Sequence, residues 1–106
     1  MILRIADSVN GVPIRLTDER WEHILDRKPN MASFIETVLD AVEGPEYILR
    51  GYKGTLIAVR HLGKRSYLNV VYRELSQTDG FIITARIESQ LDKSKIIWRR
   101  DISNKM

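Results

Sequence analysis

Three arginines on three consecutive strand-like runs are the residues of this chain best suited to chemistry. In the run 80–87, Phe81, Ile83, Ala85 and Ile87 fall on one side, and Ile82, Thr84 and Arg86 on the other, because strand side chains alternate. The run 67–73 puts Tyr67, Asn69, Val71 and Arg73 on one side. In 55–61, Leu56, Ala58 and Arg60 share a side opposite Ile57, Val59 and His61. If Ile57 and Val59 face the helices, Arg60 joins Arg73, Arg86, Thr84, Asn69 and Tyr67 on a single open face. Guanidinium groups hold phosphate oxygens in bidentate fashion, so such a face suits a phosphodiester backbone. The competing interpretation is an ordinary solvated sheet face, its arginines paired with Glu74 or Glu88.

Two histidines can move protons near neutral pH. His23 stands on a helix, away from that helix's apolar stripe, and His61 ends a strand beside Gly63-Lys64-Arg65. Each could equally be a surface histidine without a role. Trp98 and Tyr52 could stack on bases or fill a core. The chain has no cysteine and no histidine pair one helical turn apart, so neither a metal site nor any other cofactor is expected.

These residues need elements to hold them. The pair Asn10-Gly11 is a hairpin signal between short strands at 1–5 and 12–16. Thr17 is a candidate N-cap for a helix that Pro29 stops. Met31, Phe34, Ile35, Val38, Leu39 and Val42 recur at helical spacing. That second helix is capped by Asn30 or Ser33, with Glu36 completing a capping box, and ends at Gly44-Pro45. Strands at 46–50, 55–61, 66–74 and 81–88 are joined by turns too short for crossovers. The tail 91–100 reads as either a short helix or an edge strand. The expected fold is α+β: two N-terminal helices packed on one face of a four-stranded antiparallel meander, with a short N-terminal hairpin.

With 106 residues, 43% hydrophobic and 29% charged, the chain is expected to form one soluble domain over 1–106. It shows no secretory signal and no run able to span a bilayer, which points to the cytoplasm without a membrane partner. The net charge of +3 is mildly favourable to polyanions.

Over residues 14–99 the order of elements resembles the barnase–EndoU–colicin–RelE superfamily of small ribonucleases. It looks closest to the phage-associated branch and the BrnT-like toxins. Ile83-Thr84-Ala85-Arg86 matches the last-strand signature of those families. Trp21, His23 and Ile24 match the helical histidine motif, and Arg60 with His61 matches a basic strand residue before a polar turn. A lysine-rich segment with Lys93 and Lys95, ending at Trp98, fits as well. One departure is Arg27-Lys28-Pro29, where the phage-associated branch commonly has a histidine before the proline. The resemblance implies metal-independent RNA cleavage, in which the ribose 2′-hydroxyl attacks the adjacent phosphate. In that scheme His23 or His61 handles the proton and Arg60, Arg73 and Arg86 hold the phosphate. Thr84 donates a hydrogen bond, Tyr67 or Trp98 stacks a base, and Asn69, Lys93 and Lys95 contact the nucleic acid. The implied partners are RNA and a cognate antitoxin or immunity protein. Two alternatives stay open: a catalytically degenerate nucleic-acid- or protein-binding module, and a homodimer through the open sheet face.

Overall fold

The computed structural model describes residues 1–101. The chain builds β1 (Ile2–Asp7), β2 (Pro13–Thr17), α1 (Asp18–Arg27), α2 (Ile35–Glu43), β3 (Tyr47–Arg50), β4 (Leu56–Gly63), β5 (Ser66–Ser76), β6 (Asp79–Glu88) and β7 (Ile96–Arg99). Local chemistry sets several boundaries. The Thr17 hydroxyl accepts from the Arg20 amide at 3.1 Å and so caps α1. Gly11, with φ of 78°, makes the turn between β1 and β2. The second helix departs from its expected start: Pro29–Phe34 forms a 3-10 stretch running straight into α2. Ser33 lies inside that stretch, and no side chain caps the junction.

The four-stranded antiparallel meander does not hold. The sheet has seven strands in the order β1-β2-β6-β5-β4-β3-β7, and β2 runs parallel to β6 through Ile14↔Gly80 and Arg15↔Phe81. The N-terminal hairpin is therefore an extension of the sheet. The tail is a further strand, β7, pairing antiparallel with β3 at the opposite edge. Neither addition has a local signature, since each joins segments more than forty positions apart. Gly80 makes the first possible. A Cβ there would meet Ile14 Cδ1 at 2.5 Å and the Arg73 carbonyl at 2.6 Å, so only glycine lets β2 lie this close.

The core lies between the helices and one face of the sheet. Ala58, Leu68, Val70, Tyr72, Ile82 and Ala85 meet Trp21, Ile24, Val38, Leu39 and Val42 there. The opposite face carries a smaller apolar cluster of Leu49, Ile57, Val59 and Val71, with Tyr67, Ile83, Leu91 and Ile96 packed against it. This reverses the expected facing of β4. Ile57 and Val59 point away from the helices, and Ala58 points towards them. Apolar residues alternate on both faces of these strands, so hydrophobic pattern cannot tell one from the other. No helix among the described residues is long and apolar enough to cross a membrane.

Candidate nucleic-acid interface

The reversal of β4 dismantles the arginine cluster. Arg60 pairs across the strands with Leu68 and stands on the helix-covered face. Its Nη1 donates to the Gly44 carbonyl at 3.2 Å, just past the C-terminus of α2, where a cation is favoured by the helix dipole. Arg73 stays on the other face but donates through Nη2 to the Lys53 carbonyl at 2.8 Å. Arg86 is ion-paired with Glu88. Glu74, the other expected partner for these arginines, instead accepts from Ser8 Oγ at 2.6 Å and from Asn10 Nδ2, tying down the first hairpin. The three guanidinium groups thus have three separate structural partners and do not converge on one anion.

His61 is also held. Its ring stacks on Tyr67 with centroids 4.8 Å apart. Its Nε2 donates to the Lys64 carbonyl at 2.8 Å, which fixes the proton on that nitrogen and stiffens the β4–β5 turn. Trp98 lies half-buried in β7 opposite Ile48, at the edge of the sheet farther from α1.

A different grouping appears between α1 and β6. Arg20, His23 and Arg27 follow at i, i+3 and i+7 along one side of α1. With Ile24, Lys28, Ile83 and Thr84 they line a cleft of about 300 Å³. Lys28 Nζ donates to Thr84 Oγ1 at 3.4 Å. The β5–β6 register shifts here: Val71 faces Thr84 while Tyr72 faces Ile82, so Ile83 is an extra residue. Such a bulge re-aims side chains, and Ile83 and Thr84 both line the cleft beside α1. No carboxylate is among the lining residues. Three cations, an imidazole and a hydroxyl around one cleft make a site for an anion beside a group that can accept a proton.

Further along β6 the open face carries a second cleft, of about 470 Å³. Asn69 and Arg86, which are cross-strand partners, line it with Leu49, Ile57 and Lys95. The connection 89–95 runs from β6 across this face to β7, and Leu91 within it packs on the small apolar cluster. At the next position Tyr67, paired with Glu88, lines a cleft with Arg65 and Lys93. Thr84, Arg86 and Glu88 alternate on one face of β6; Thr84 lines the first cleft, and Arg86 and Glu88 line the second.

Of the residues expected to form the site, the structure brings His23 and Thr84 together. It groups Asn69, Arg86 and Lys95 next to them, places Tyr67 and Lys93 beyond, and leaves Arg60, Arg73, His61 and Trp98 in other roles. Arg20, Arg27 and Lys28 were missed, although the spacing of Arg20 and Arg27 around His23 on α1 is legible in the sequence. No family model, curated protein or solved structure matches this chain.

Proposed function

We propose that the protein is a metal-independent endoribonuclease whose chemistry takes place in the cleft between α1 and β6. One observation carries this: His23 and Thr84 share that cleft with Arg20, Arg27 and Lys28, and no carboxylate lines it. In the proposed reaction the neutral His23 imidazole takes the proton of a ribose 2′-hydroxyl. The 2′-oxygen attacks the adjacent phosphorus, and the bond to the 5′-oxygen breaks, leaving a 2′,3′-cyclic phosphate. Lys28, standing where the phage-associated ribonucleases that the sequence resembles commonly carry a histidine, gives a proton to the departing oxygen. Arg20, Arg27 and the Thr84 hydroxyl stabilise the negative charge that builds on the phosphorane. Solvent exchange resets His23 and Lys28. The reading assigns RNA as substrate and a cognate antitoxin or immunity protein as partner, as in toxin-type or phage-associated ribonucleases.

The test is cleavage of RNA by purified protein in the presence of chelator. His23→Ala and Lys28→Ala should each lower the rate at least about tenfold, the usual scale for one removed transition-state contact. Unchanged rates in both variants reject the assignment.

A second reading rests on Arg27-Lys28-Pro29. A site with a single imidazole suits binding of nucleic acid without turnover. Expression separates the two readings, since an active ribonuclease arrests growth unless its antitoxin is supplied and a binder is tolerated.

A further inference from the structure

Asn69 carries an unmet demand. The residue is 7% exposed in the middle of β5, between Val59 on one neighbouring strand and Arg86 on the other. Yet its Oδ1 is buried and, among the described residues, has no hydrogen-bond partner. A buried acceptor left unpaired is costly. This amide lines the 470 Å³ cleft. Around it are the aliphatic side chains of Leu49, Ile57 and Leu91, and the rest of the lining is Gln90 and two ion pairs, Arg86 with Glu88 and Lys95 with Asp92. A cleft that sets one unpartnered amide oxygen beside aliphatic side chains matches a nucleobase, with a flat apolar body and a hydrogen-bonding edge.

We propose that this cleft is a nucleobase subsite, adjoining the cleavage cleft along β6. The base lies against Leu49, Ile57 and Leu91, and the Asn69 amide pairs with its edge. An asparagine amide offers an acceptor and a donor side by side, which fits adenine N6 and N7. This inference rests on the nucleic-acid reading given above and names what that surface recognises beside the bond it cuts.

The experiment measures binding without cleavage. Adenosine 5′-monophosphate and ribose 5-phosphate are titrated calorimetrically into the full chain and into Asn69→Leu, with the thermal midpoint of each protein recorded. The wild type should bind the nucleotide at least about tenfold more tightly than the sugar phosphate, the scale of one bidentate base contact. Asn69→Leu should lose that preference while its thermal midpoint stays level or rises, which separates lost recognition from lost folding. Equal binding of the two probes by the wild type overturns the proposal, as does a preference that survives in the variant. Should the wild type cleave RNA and bind the two probes equally, the subsite falls and the ribonuclease reading stands. Selective nucleotide binding without any RNA cleavage supports the subsite and removes the ribonuclease reading.

Discussion

Among the described residues, the two faces of the sheet each contain one buried polar side-chain atom without a hydrogen bond, and the two mean different things. On the helix-covered face it is the Tyr72 hydroxyl, in a side chain with no solvent exposure, enclosed by the main core. On the opposite face it is the Asn69 amide, which lines an open cleft. The tyrosine ring provides a large apolar body to the core, and its hydroxyl is an imperfection carried along with it. Burial pushes the Tyr72 phenol far above its usual range, with Glu74 a smaller contributor, so it stays neutral at any ordinary pH. The Asn69 oxygen borders a cleft, and the proposed subsite rests on it. An orphaned group is informative about function only where something can reach it.

The comparison can be broken most forcefully in the cores. Leu68→Ala, on the covered face, should cost about 2–5 kcal/mol in a urea titration. Val71→Ala, on the open face where the apolar cluster is thinner, should cost clearly less; equal losses would mean that the two faces do not differ in packing. Next in size is Gly80→Ala. Its Cβ would collide with Ile14 and with the Arg73 backbone, so a loss of about 1–3 kcal/mol is expected. Faster amide exchange in the β1–β2 hairpin should accompany it, and unchanged exchange there would refute the close approach of β2 to β6.

Arg60→Ala should cost about 1 kcal/mol through the lost bond to the Gly44 carbonyl, while RNA cleavage is unaffected. A large loss of cleavage without loss of stability would return Arg60 to the site. Tyr72→Phe should change stability by less than about 0.5 kcal/mol or raise it, because the hydroxyl it removes has no partner. A substantial destabilisation would show that the hydroxyl is satisfied in solution.

The smallest effect concerns Asp92, at the border of the Asn69 cleft. The Ser94 hydroxyl donates to Asp92 at 2.6 Å and, opposed by weaker desolvation, holds its carboxyl below the usual carboxylate range. The ionised form is the one favoured by folding. Its contribution is therefore present above the ordinary carboxylate pKa and lost as pH falls through the depressed value. Ser94→Ala should move the Asp92 titration upward when followed by NMR, and a titration that stays in place would sever that link.

Much of the local structure was written into the chain. Thr17 caps the first helix, Gly11 turns the hairpin, and the runs around Ala58, Val70 and Ala85 are strands, because caps, turns and alternation act over a few residues. The His23 side of α1 was equally readable from helical spacing. The facing of the strands was not. Val and Ile stand on both sides of β4 and β5, and a pattern apolar on both sides does not say which one the helices cover. That single choice sent Arg60 to the end of α2 and separated it from Thr84. The sheet edges were invisible for another reason: β2 meets β6 and β7 meets β3 through backbone bonds that any sequence can make. The sequence by itself determined the elements and the side chains able to do chemistry. Only the tertiary structure decided which of them meet, because burial of one face over the other and the pairing of distant strands depend on the energy of the whole assembly.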